Sequence, residues 1–318
     1  MIVDPYSSAG WEAVDMGGAC RPLRPLTLPL RELHFSAEYS LGMLSVRGPG
    51  RRRTWSRARH GWGGGWRDFV EARGLVRIPA GTQVKLRAMH AFPDPDALGR
   101  LGPLDLQGLV LGGLAASETT LASLVHLGGL EQLDLWAAPV GDEAMPFIAR
   151  IPRLKVLALW GTRVTDAGLH ALNPLGALRS LTVPRQIGDA AMPLLAELDG
   201  LRELTLSGSR VTDAGLGLLG GARSLRRLSL WDTRVTDAGL PHLQELPFLA
   251  ELELGATAIT DQGLAQLVSL PLRRLSLRDS LVSLEGLRAL REALPRCRVE
   301  PVESEGCPWR PPTAGRLV

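Results

Sequence analysis

From Leu106 onward the apolar residues return in one fixed order, L-x-x-L-x-L. It runs as Leu106/Leu109/Leu111, Leu130/Leu133/Leu135, Leu154/Leu157/Leu159 and Leu178/Leu181/Val183. It continues as Leu201/Leu204/Leu206, Leu225/Leu228/Leu230, Leu249/Leu252/Leu254 and Leu272/Leu275/Leu277. The interval is 24 residues, shortened twice to 23. Within each unit two Leu flank one variable residue, the alternation of a strand, and later Leu at a spacing of three, such as Leu169, Leu172 and Leu175, mark a short helix. One strand and one helix cannot bury an apolar face alone, so neighbouring units must stack into a solenoid with strands in parallel. The predicted fold class is an α/β solenoid with an inner parallel sheet and outer short helices.

Residues 1–95 lack the period. "LRELHFSAE", "LGMLSVRG", "GLVRIP" and "TQVKLRA" read as short strands, and "PAGT" (79–82) as a hairpin turn between the last two. Three regions follow: a β-rich segment over 1–95 expected to cap the first repeat, about eight repeats over 96–300, and an irregular tail over 301–318. A last strand is expected around Cys297–Glu300, ahead of the prolines Pro308, Pro311 and Pro312.

The repeat unit reads L-x-x-L-x-L-x-x-T-x-V-T-D-x-G-L. It resembles the leucine-rich repeat family, in particular bacterial repeats carrying T-D-x-G-L, over roughly residues 100–300. The resemblance implies a horseshoe fold and protein recognition on its concave face. Some relatives with similar repeats are ubiquitin-ligase adaptors, and "LTLPLRELHF" (26–35) faintly echoes the start of their F-box.

Two polar columns run through the repeats. Asp142, Asp166, Asp189, Asp213, Asp237 and Asp261, with Glu118 in the first unit, each precede the helical Leu. A carboxylate there is expected to cap its own helix, with Thr165, Thr212, Thr236 and Thr260 sharing the task. Thr162, Ser209, Thr233, Thr257 and Ser280 are expected to bond backbone of the adjacent turn, while Leu114 and Ala138 break that column. Catalytic acids do not recur once per repeat, so both columns read as scaffold.

Trp136, Trp160 and Trp231 each follow the last apolar residue of a strand, where alternation points them away from the core. Trp136 and Trp160, in adjacent repeats, should lie about 5 Å apart. Large aromatics in one row suit interface anchors, the other reading being that each covers a neighbouring loop. Arginines surround them: Arg163, Arg210 and Arg234 in the loops, and Arg202, Arg226 and Arg227 at variable strand positions. Acids such as Glu203, Glu251, Glu253 and Asp232 share the face, which fits a protein partner that is acidic or of mixed charge, or a merely solvated, ion-paired surface.

Composition narrows the classes. A net charge of +3 implies neither a nucleic-acid nor a membrane partner, and no apolar run is long enough to span a bilayer. Asp4, Glu12 and Asp15 interrupt the first thirty residues, so no secretory signal is expected. Cys20, Cys297 and Cys307 are odd in number and lack metal-ligand spacing, which suits a cytoplasmic protein and leaves a Cys297–Cys307 bridge open. The six histidines share no column, and His126, His170 and His242 fall on outer helical segments. No catalytic motif appears, so the expectation is a binding protein, not an enzyme, with no metal and no cofactor. "RRRTWSRARHGWGGGWR" (51–67) interleaves Arg and Trp without an acid. It leaves open a nucleic-acid binder, as residues 1–95 leave open a regulatory or catalytic role.

Overall fold

The computed structural model describes residues 30–35, 38, 40–47, 67–88, 97–113 and 116–300. They form two compact units: one runs to Val164 and includes Ala171–Leu178, the other comprises Thr165–His170 and the residues from Arg179 onward. The repeats in both form an α/β solenoid of parallel strands and short helices. Residues 51–66 of the Arg/Trp stretch, Cys20, Cys307, Leu114 and the tail lie outside the described residues.

In the first unit β1 (Leu30–His34) pairs antiparallel with β4 (Leu75–Pro79) as a sheet of two. The residues of the F-box echo that are described here thus form a strand. β2 (Met43–Arg47) pairs antiparallel with both β3 (Arg67–Glu71) and β5 (Gln83–Arg87). β5 then runs parallel to β6 (Gly108–Val110), followed by β7 (Gln132–Asp134) and β8 (Val156–Ala158). The expected "PAGT" hairpin is corrected here. The chain turns at residues 80–81, but β4 and β5 belong to different sheets, so the turn carries the chain from one sheet to the other. β3 has no counterpart among the predicted strands, because R-D-F-V-E carries only two apolar residues.

The second unit orders β9 (Ser180–Thr182), β10 (Glu203–Thr205), β11 (Arg227–Ser229), β12 (Glu251–Glu253), β13 (Arg274–Ser276) and β14 (Arg298–Glu300) in parallel, each beside its successor in sequence. The middle Leu of every repeat stands in register with the next, as Leu204 with Leu228 and Leu252 with Leu275. These Leu are fully buried or nearly so. A short helix or 3-10 turn returns the chain in each repeat, for example Asp213–Leu218 and Asp237–Glu245.

The hydroxyl column behaves as scaffold with one change. Thr162, Thr233, Thr257 and Ser280 donate to the carbonyls of Leu159, Leu230, Leu254 and Leu277, three residues back in their own turn, not to the adjacent one. The hydroxyl lies close to that carbonyl, which in the Thr162 and Ser280 turns also accepts the residue's own amide, so the nearest acceptor wins. The Ser209 hydroxyl is buried without a partner.

The acid column is corrected more deeply. Asp166, Asp213 and Asp237 are the first residues of their helices, and Thr165, Thr212 and Thr236 occupy the cap positions. The carboxylates reach forward into the next repeat. Asp189 accepts from the Thr212 amide at 2.8 Å and its hydroxyl at 2.6 Å; Asp213 does the same with Thr236 at 2.8 and 2.7 Å. Asp237 holds Thr260 and Asp261 holds Ser283 in the same way, and Asp166 takes the amide of Gly188. A carboxylate at the first helical position lies beside the following cap residue once repeats stack, and that cap amide has no acceptor within its own helix. The ladder also explains the glycine of T-D-x-G-L. A Cβ on Gly215 would stand 2.1 Å from Asp189 Oδ1, and one on Gly286 2.1 Å from Asp261 Oδ1.

Candidate recognition surface

In the first unit Trp136 and Trp160 directly follow β7 and β8. The residues after them, Ala137 (φ 53°) and Gly161 (φ 76°), take the left-handed conformation that turns the chain off the strand. Backbone bonds fix the turns to one another: the Ala137 amide donates to the Trp160 carbonyl at 2.8 Å, and the Gly113 amide to that of Trp136 at 3.1 Å. Asp134 Oδ1 accepts from the Trp136 amide at 2.9 Å. With both backbones held, the indoles lie face to face, centroids 5.8 Å apart and planes within 5°. That matches the strand spacing expected from the repeat. Trp136 remains 46% exposed although its neighbour covers one face. The same place in the preceding repeat is Gly112, which has no side chain to lay against the other face.

Trp231, in the second unit, is placed differently. It is half-buried, and its ring lies across Gly255 of the next repeat, where a Cβ would stand 2.0 Å from Cζ3 and 2.2 Å from Cε3. It covers neighbouring backbone, as one of the two sequence readings holds. Asp232 beside it (φ 54°) pairs with Arg185 at 3.0 Å.

The arginines fall into three sets. Arg163, Arg210 and Arg234 anchor loops through backbone amides that donate to Val140, Ile187 and Val211 of the preceding repeat, while their side chains are exposed. Arg227 lies within β11 and bridges two acids, reaching Glu203 at 3.2 Å and Glu251 at 2.9 Å. Across β10–β14 the corresponding positions read Glu203, Arg227, Glu251, Arg274, Arg298, and the next column adds Glu253 and Glu300. Ser229 donates to Glu253, and Arg274 pairs with Glu300. Burial is the largest influence on the Glu203 carboxyl and raises its pKa; Arg227 and a hydrogen bond from Ser180 pull it down, and Glu251 pushes it up again. Arg202 and Arg226 form the third set, exposed one residue ahead of their strands. Of the nine sequence-nominated residues, Trp136, Trp160 and Arg163 belong to the first unit and the other six to the second.

Among the described residues no group of three or more His, Cys, Asp or Glu is placed to hold a metal ion, and no helix is long and apolar enough to cross a membrane. His126 lies in a short outer turn, bonded to the carbonyls of Ser123 and Leu101.

No protein-family model and no curated protein sequence matches the chain. Among solved structures it is similar to an internalin of Listeria monocytogenes, at 18% identity and a TM-score of 0.48 over 70% of this chain and 74% of that one. It is also similar to an internalin C2 of the same organism, at 23% identity and a TM-score of 0.41 over 55% of this chain and 80% of that one.

Proposed function

We propose that this protein is a recognition scaffold, not an enzyme, and that it holds a protein partner against the exposed residues that follow and flank its strands. The observation that carries this is the Trp136–Trp160 stack. Two indoles are fixed in parallel by backbone bonds on both sides, and the outer one keeps nearly half its surface in water. Rigid aromatics lose little entropy on being covered, which is why such residues dominate binding at interfaces. The exposed Arg163 belongs to the same loop as Trp160 and adds a charged donor. Arg210 and Arg234 offer the same at later repeats, and Arg202, Arg226 and Arg227 extend the charged surface. The Asp column is engaged in holding repeats together and the hydroxyl column in closing its own turns, which supports binding over catalysis. The β-rich segment over 1–95 is read as the cap of the solenoid over 96–300, supported by β5 taking the open edge of β6. A reducing cytoplasm suits the cysteine usage.

The test uses wild type and the Trp136→Ala/Trp160→Ala variant as paired baits for a partner first identified with wild type. The variant should melt close to wild type and lose about thirtyfold in affinity by calorimetry, roughly 2 kcal/mol. Unchanged affinity in the folded variant removes the binding site from this stack.

A further inference from the structure

The position just ahead of each strand in the second unit reads Arg179, Arg202, Arg226, Ala250, Arg273 and, before β14, Cys297. The first five are true neighbours. The Arg202 amide donates to the Arg179 carbonyl, Arg226 to Arg202, Ala250 to Arg226 and Arg273 to Ala250, at 2.7–2.9 Å. Like charges stacked directly beside one another cost stability unless something neutralises them. The next residue along these same strands shows neutralisation: Arg227 sits between Glu203 and Glu251, and Arg274 meets Glu300. The row ahead of the strands has no acid, and among the described residues the exposed Arg202, Arg226 and Arg273 have neither an ion pair nor a side-chain hydrogen bond. Where the row is interrupted by Ala250, an exposed apolar side chain stands two residues before it: Phe248, 59% exposed.

We infer that this row is a docking site for an acidic helix with one apolar residue among its acids. Strands are spaced about 4.8 Å apart, which puts Arg202, Arg226, the Phe248/Ala250 level and Arg273 at roughly 0, 5, 10 and 14 Å along the row. A helix rising about 1.5 Å per residue shows one face at i, i+4, i+7 and i+11, at roughly 0, 6, 10 and 16 Å. Acids at i, i+4 and i+11 then meet the three arginines, and an apolar residue at i+7 meets Phe248. A nucleic acid fits less well, because the Phe248/Ala250 level of the row offers no cation to a backbone that carries a charge at every step. The inference rests on the protein-recognition reading above but uses residues other than the Trp stack.

The probe is a labelled helical peptide with Glu at i, i+4 and i+11 and Leu at i+7 on an alanine/glutamine background, compared with a scrambled peptide of the same composition. Wild type should bind the ordered peptide about tenfold tighter than the scrambled one, and more weakly as salt rises. Arg202→Ser/Arg226→Ser/Arg273→Ser should abolish that preference, while Arg163→Ser/Arg210→Ser/Arg234→Ser, equal in charge change, should keep it. Phe248→Ser should lose about threefold for the ordered peptide alone. If the triple variant melts early, the single Arg226→Gln is read instead, with about threefold loss expected. Equal binding of ordered and scrambled peptides overturns the proposal, as does tighter binding of a single-stranded oligonucleotide through the same arginines. Trp136→Ala/Trp160→Ala should bind the peptide as wild type does. Loss of the partner's binding in that variant with the peptide's intact is the outcome both readings expect; partner binding kept in the folded variant removes the Trp reading alone, and equal binding of ordered and scrambled peptides by wild type removes this one alone.

Discussion

Asp261 and Gly286 illustrate how closely two residues of the repeat depend on each other. The Asp261 carboxylate holds the amide and hydroxyl of Ser283, and it fills the space a side chain at Gly286 would need. Removing the carboxylate by Asp261→Ala should cost about 1.5–3 kcal/mol, the range for hydrogen bonds to a charged group. Gly286→Ala alone should destabilise, because the new methyl displaces that carboxylate. In the Asp261→Ala background the space is open, and the same change should stabilise by up to about 1 kcal/mol, since alanine is the better helix residue inside Leu284–Ala293. A double-mutant cycle by thermal or urea unfolding checks the reversal of sign; additive effects would mean the two do not share this space.

At the scale of the strands, the charge column of β10–β12 ties stability to pH. The Glu203 carboxyl is raised in the folded protein, mainly by burial, so the native state holds its proton to higher pH than the unfolded chain does. Stability from this group is therefore greatest below the ordinary glutamate pKa and declines as pH rises through the folded value. Arg227 opposes the shift, so Arg227→Gln should move the titration of the Glu203 side chain, followed by carbon NMR, further upward. A Glu203 that titrates lower in that variant would mean another cation sets its ionisation. Much of this element was legible beforehand. Leu spacing located the strands, and alternation placed Trp136 and Trp160 side by side. The direction of the acid column was not legible, because whether Asp213 serves its own helix or Thr236 depends on how neighbouring helices stack. β3 escaped for a local reason: its five residues alternate too weakly to read as a strand. The split among the arginines was hidden too, since one residue of displacement separates Arg226, which has no side-chain partner among the described residues, from Arg227, which is held by two acids.

For the molecule as a whole, stability should spread from neighbour to neighbour, because each repeat buries its apolar face only against the next. Leu228→Ala removes a side chain that is 1% exposed and should cost about 2–5 kcal/mol. Hydrogen exchange should then show the greatest loss of protection in β10, β11 and β12, with β14 less affected; uniform loss would show that the second unit opens all at once. The acid ladder gives this stacking a direction. Asp166, Asp189, Asp213, Asp237 and Asp261 each reach toward the C-terminal neighbour, and the last helix among the described residues begins with Leu284, which has no carboxylate to offer. The segment from Asp213 to Thr236 therefore brings its own acceptor at one end and its own donors at the other. A tandem copy of it, spliced in after Thr236, would find both joints already made and need no accompanying substitution. Such a chain grows by duplication as a ratchet does, one complete tooth at a time, and a copy of any length other than these 24 residues would leave an aspartate facing no threonine.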